Sequence, residues 1–165
     1  MKRGRISYFN KYPFIKNVLL ALAIAVLGFI FLTLTFVFDA LFQSLIDGVI
    51  KLFTSVDINM VWYWFPPIKH VMFVVVIGII SWFIFRIKLS DFWKATYMIV
   101  PLAVVFATIG MFFYQWPVVV YLIGGLFGIG ILYYLYKTKQ PWLYYYALIL
   151  IGITMLLVAL LGIEI

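Results

Sequence analysis

The sequence predicts an all-α integral membrane protein. The expected fold is a five-helix transmembrane bundle with a cytoplasmic N-terminus, an outside C-terminus and one amphipathic interfacial helix after the first span. Three observations predict it. First, 68% of the 165 residues are hydrophobic and only 10% are charged, against roughly 25% charged in soluble domains. A chain this small has no interior large enough to hide that much apolar surface from water, and the same composition excludes a disordered chain. Second, the apolar residues run continuously for about 20 positions at a time, the length of a membrane-crossing helix, instead of alternating in short strands as a barrel requires. Third, the basic residues gather at the ends of those runs.

Residues 1–17 form a basic tail with Lys2, Arg3, Arg5, Lys11 and Lys16, interleaved with Tyr8, Phe9, Tyr12 and Phe14, a composition suited to anionic lipid. The first span, Val18–Phe38, carries no charge and is too long for a signal-peptide core, so it is read as retained. The second, Ile68–Phe85, follows Pro66 and Pro67, which a helix tolerates in its first turn because those N–H groups lack partners anyway. The third, Ala95–Phe113, is led in by Ser90 as N-cap and Asp91 in the first turn. Pro101 lies inside it and is expected to kink it. The fourth, Val118–Tyr136, follows a tight turn at Gln115–Pro117, and the fifth, Trp142–Ile163, follows the Lys137–Lys139 loop and Pro141. The whole chain, 1–165, reads as one transmembrane domain.

Charge sets the orientation. The tail, the second-to-third loop (Arg86, Lys88, Lys94) and the fourth-to-fifth loop (Lys137, Lys139) all fall on one side, and only Lys51 and Lys69 fall on the other. The positive-inside rule places the basic side in the cytoplasm. A bacterial-type cytoplasmic membrane is the expected location.

Residues 39–67 are the one connection with real polar content. Asp39, Gln43, Asp47 and Lys51 recur every four positions and share a helical stripe, with Phe42, Leu45, Ile46, Val49 and Phe53 opposite. This predicts an amphipathic helix, lying in the outer interface or extending the first span, with the polar stripe in solvent and an Asp47–Lys51 ion pair. Trp62-Tyr63-Trp64-Phe65 followed by Pro66-Pro67 predicts a stiff aromatic anchor at headgroup depth. Lys69 and His70 lie at the outer end of span two, and histidine is the side chain whose ordinary titration falls nearest neutrality. Asp39, Asp47 and Asp57 come from the same side and are within plausible reach. A ligand site, if the chain has one, is therefore expected at Asp39, Asp47, Trp62, Trp64, Lys69 and His70.

Within the spans, Gly124, Gly125 and Gly128 form a flat strip on which another helix can pack, either inside the bundle or in a second copy or a partner membrane protein. Thr33, Ser81, Thr108 and Thr154 are the mid-span polar groups, and no charge stands near a span centre. That argues against ion-coupled transporters, proton pumps and voltage sensors. There is no cysteine and a single histidine, which excludes disulfides, thiolate metal sites and His-rich metal sites. No nucleophile elbow, zinc-protease motif or acidic metal cluster is present. No cofactor, no metal and no catalytic residue is therefore expected. The excess of basic residues is accounted for by span ends and anionic lipid, so no nucleic-acid partner is expected either.

Five spans and a cytoplasmic N-terminus resemble the Yip/Yif-domain membrane proteins. So does the segment from Arg86 to Leu102, where Tyr97 precedes Pro101 shortly after a cytoplasmic loop, although Thr96 stands where that family has glycine. The resemblance implies a membrane-organising or trafficking role exercised through partners. Trp64-Phe65-Pro66-Pro67 before span two resembles an element of the translocator-protein family, which implies a bundle-interior pocket for a hydrophobic ligand such as a tetrapyrrole. The expected function is that of a non-enzymatic membrane protein acting through protein or lipid contacts. The alternative is a carrier or binding protein for a hydrophobic ligand or small solute, with its site at the outer end of the bundle.

Overall fold

The computed structural model describes residues 13–53 and 65–161, and every regular element among them is a helix. There are five: α1 (Pro13–Phe53), α2 (Phe65–Arg86), α3 (Asp91–Phe112), α4 (Pro117–Lys137) and α5 (Trp142–Leu161). All five are long and apolar enough to cross a membrane. The loops between α2 and α5 are short, so these helices alternate in direction. The basic tail up to residue 12, Asp57, Trp62, Trp64 and the end of the fifth span beyond Leu161 lie outside the described residues.

The helices α2 to α5 fall on the second to fifth apolar runs. At the start of α3, Ser90 holds the extended backbone of an N-cap but its side chain makes no cap bond. Pro101 sits inside α3, which continues past it to Phe112.

The first helix takes the second of the two arrangements expected of residues 39–53: they extend the first span, continuing α1 without a break to 41 residues in all or about 60 Å, twice the hydrocarbon thickness of ~30 Å. Nothing in this stretch stops a helix: it has no proline, and Gly48 is tolerated in an interior.

α3 is the hub. It is flanked by α1, α2, α4 and α5, which form an arc in the order α2–α1–α5–α4 around it. The sequence explains the choice. Ala95, Ile99 and Ala103 recur every four residues on α3, and Gly28 on α1 and Ala147 on α5 present equally small surfaces, so backbones approach closely. A methyl group built on Gly28 would overlap Ile99 Cδ1. The main core joins Ile24 and Leu32 of α1, the α3 row, Leu135 of α4, and Leu143, Leu148 and Ile151 of α5. A second cluster, Phe73, Ile77, Val100 and Val104, fastens α2 to α3.

The side-chain hydroxyls within the spans are mostly satisfied by their own helices. Thr33, Thr35, Ser81, Thr96, Thr108 and Thr154 each donate to the carbonyl four residues back, at 2.6–2.9 Å. This removes the cost of an unpaired donor in hydrocarbon without help from a neighbouring helix.

Candidate functional site

Polar chemistry concentrates where α2 begins and α3 ends. Lys69 and His70 lie four and five residues into α2, about 6–8 Å from its end. Asp39, Gln43 and Asp47 come from three successive turns of α1, and Thr108 from the last turn but one of α3. Of the residues the sequence singles out, the structure brings Asp39, Asp47, Lys69 and His70 together.

The polar stripe of α1 points the opposite way from expectation. Asp39, Gln43 and Asp47 turn toward α2 and α3, while Leu45, Val49 and Phe53 face outward, Phe53 at 86% exposure. The reversal has a physical reason. The partners stand on the inner side: Lys69 and His70 of α2 lie opposite the stripe, and a polar group that packs against other helices turns toward the groups that pair with it. The expected partner of Asp47 changes as well. Its carboxylate meets Lys69 Nζ at 2.8 and 3.0 Å through its two oxygens, while Lys51 is exposed.

Lys69 is only 4% exposed. Besides Asp47, its ammonium lies 5.4 Å from the centre of the Phe65 ring, close enough for cation–π attraction. A buried lysine is stable only with such pairing. His70 bridges the other two helices. Its Nε2 is 3.1 Å from Thr108 Oγ1 and its Nδ1 is 3.6 Å from Asp39 Oδ2. Gln43 Nε2 donates to the same Asp39 Oδ2 at 3.0 Å. Asp39 Oδ1 is buried and receives no hydrogen bond. Phe73, wholly buried, lies under the cluster, with its ring centre 5.8 Å from those of Phe38 and Phe42 and 6.3 Å from that of His70.

Beyond Phe73 an apolar groove of about 250 Å³ opens sideways between α1, α2 and α3. Phe31, Leu34 and Phe38 form one wall, Ile77 and Ile80 the other, and Tyr97 and Val100 the floor. At the end away from the ionic cluster, Tyr97 and Ser81 face each other with their hydroxyl oxygens 3.1 Å apart. The bundle's main core is tighter: a void between Phe29, Leu32, Ile99 and Ile151 measures about 10 Å³, room for one water at most.

Two of the expected site residues, Trp62 and Trp64, lie outside the described residues, and Phe65 alone of that aromatic run is placed, over Lys69. Among the described residues the glycines of α4 meet few neighbours. Gly124 stands 3.7 Å from the Phe106 ring, measured from where a methyl would be, and Gly125 and Gly128 have nothing within 4 Å of that point. Sequence reasoning missed Thr108 and Phe73 as members of the site, and Gly28 as the glycine at which two helices touch. Thr108 and Gly28 were visible as a polar and a small residue in apolar runs, but the run does not say which helix each one faces.

No family model matches this chain, and neither a curated protein nor a solved structure matches it.

Proposed function

We propose that this chain is a non-enzymatic membrane protein that binds an amphiphile, a lipid or a hydrophobic small molecule, at one end of its bundle. One observation carries the reading: an apolar groove lies beside a partly buried ionic cluster that α1 and α2 build and Thr108 of α3 completes. An acyl chain or flat apolar body fits the groove between Phe31, Phe38 and Ile80. Its polar end meets the Tyr97–Ser81 hydroxyl pair or, if Phe73 moves aside, the ionic cluster. Polar and ionisable groups are expensive at membrane depth and are kept there for such uses, and mostly apolar concavities with a few polar groups are the usual form of ligand sites. In this reading the ionic end faces outward, because the opposite end carries the basic residues that the positive-inside rule holds in the cytoplasm. The Yip/Yif-like layout of Tyr97 and Pro101 is compatible with it, since Tyr97 forms part of the groove.

The test is native mass spectrometry of the protein extracted gently from its own membrane. The expected result is a retained amphiphile whose occupancy drops sharply in Leu34→Trp, which fills the groove from an exposed position. Equal occupancy in the wild type and in Leu34→Trp, or a bare chain under conditions that preserve lipids on other membrane proteins, overturns the reading.

A further inference from the structure

The hydrogen bonds around the groove fix where its hydroxyl protons are. A hydroxyl has one proton to give, and a carbonyl can only accept. Thr35 lines the groove and places its Oγ1 2.7 Å from the Phe31 carbonyl, so its proton is donated there. Ser81 places its Oγ 2.7 Å from the Ile77 carbonyl and donates its proton likewise. The contact between Ser81 Oγ and Tyr97 Oη, at 3.1 Å, is then left with one donor, the phenol of Tyr97. Tyr97 therefore lines the groove with its own proton committed to Ser81.

What these groups have left is lone pairs. Thr35 Oγ1 and Tyr97 Oη keep acceptor capacity after giving up their protons. The backbone adds to it: Pro101 has no N–H, so the Tyr97 carbonyl lacks its usual helical donor. The other residues that line the groove are aliphatic or phenylalanine, and none is charged. A carboxylate or phosphate entering here meets no free donor and no cation. An ammonium meets acceptors but no counter-charge. Charge without compensation is costly at membrane depth. A neutral donor, by contrast, pairs with the free lone pairs and displaces no bond already made.

We propose that the groove selects a neutral lipid whose polar end is a hydrogen-bond donor, a hydroxyl, accepted by Tyr97 Oη. This rests on the groove reading above and assigns the polar end of the ligand to the Tyr97–Ser81 side. Tyr97 lies six residues past Asp91, the first residue of α3, which is about 9 Å into that helix. The hydroxyl is therefore held toward the basic end of the bundle, and the apolar chain runs from there past Val100 toward Phe38. Ser81 is a positioning residue. It takes the phenol proton and so keeps Tyr97 an acceptor toward the groove.

The test offers the full chain in detergent pairs of probes with the same alkyl chain: hexadecanol, hexadecyl methyl ether and, at mildly alkaline pH, hexadecanoate. Native mass spectrometry reads which of each pair is bound. The wild type should prefer the alcohol to the ether by about fivefold or more, the effect of one net hydrogen bond, and should prefer it to the carboxylate as well. Leu34→Trp should lose all three probes. Ser81→Ala frees the phenol proton to donate to an ether oxygen, so the preference for the alcohol should shrink or reverse. Tyr97→Phe should shrink it by removing the acceptor. Equal binding of alcohol and ether in the wild type, or a preference for the carboxylate, overturns the proposal. So does a preference for the alcohol that is unchanged in either Ser81→Ala or Tyr97→Phe. If the probes bind without such a preference and are still lost in Leu34→Trp, the groove reading stands and this selectivity alone falls. If no probe binds, or Leu34→Trp binds them as the wild type does, both fall.

Discussion

At the end of the bundle where α2 stops and α5 starts, Arg86, Lys88, Lys137 and Lys139 are exposed. Arg86 stacks 4.0 Å from the centre of the Trp82 ring, and the half-buried Lys94 donates to the Phe85 carbonyl at 2.8 Å. At the opposite end Lys69 and His70 are drawn inward and tied to carboxylates on another helix. The two ends hold the same kinds of residue under different constraints. An exposed charge satisfies itself with water or a headgroup and needs no particular partner. A buried one depends on a residue far away in sequence; Lys69 and Asp47 are 22 positions apart.

The largest effect expected from this difference is at Lys69. Replacing it with alanine takes the ammonium away from Asp47, and breaking a buried pair in this way costs roughly 3 kcal/mol. Removing both partners in Lys69→Ala/Asp47→Ala should recover most of that loss, because neither charge is then left without the other. Thermal unfolding in detergent measures both. If Lys69→Ala melts no lower than Lys88→Ala, the two ends do not differ in the way their geometry implies.

The same dependence on partners explains what was legible in the sequence. Four of the five helices announce themselves through continuous apolar runs bounded by charges and prolines, because a span is a property of one segment. The basic ends are legible for the same reason. The reversal of Asp39, Gln43 and Asp47 was not. A four-residue spacing gives the stripe, but whether the stripe faces water or protein depends on what α2 and α3 place opposite it. Asp39, Asp47, Lys69 and His70 were found as candidates because they share one end of the chain's topology. Thr108 was not, because the register of α3 against α2 is set by the packing of Val100 and Val104 on Phe73 and Ile77, and a single sequence does not contain that register.

A second contrast runs between two glycine positions. Gly28 lies where α1 meets Ile99 of α3, while Gly128 of α4 has open space. Gly28→Leu should destabilise the bundle by about 1–3 kcal/mol through overpacking, and Gly128→Leu by less than about 0.5 kcal/mol, as at a surface position. A comparable loss at Gly128 would show that a second copy or a partner covers α4, and oligomer size in detergent would reveal which. Smaller still is Tyr97→Phe. It removes the hydroxyl shared with Ser81, while Ser81 keeps its bond to the Ile77 carbonyl at 2.7 Å. Interhelical hydrogen bonds of this kind in membranes average about 0.6 kcal/mol, a shift to be read in the same thermal unfolding series.

The smallest effect on stability, close to zero, is expected at Lys88, and it is the most useful one for separating the two ends. Lys88 lies exposed in the short link between α2 and α3 and contributes to no core. If the basic end meets an anionic leaflet, each such charge contributes about 1 kcal/mol to lipid attraction, roughly fivefold in affinity. Lys88→Gln should therefore leave the melting temperature unchanged while weakening retention of anionic lipid, measured as the ratio of anionic to zwitterionic lipid held in mixed micelles, and added salt should erase the difference. Lys69→Ala should show the reverse pattern: a large stability loss, and no salt-dependent change in anionic-lipid retention, because its charge is enclosed by Asp47 and Phe65 and is not presented to headgroups. If both variants behave alike in both measurements, the charge at the two ends is doing one job. If they cross over as expected, one end holds the chain's orientation against the lipid surface and the other holds its helices to one another.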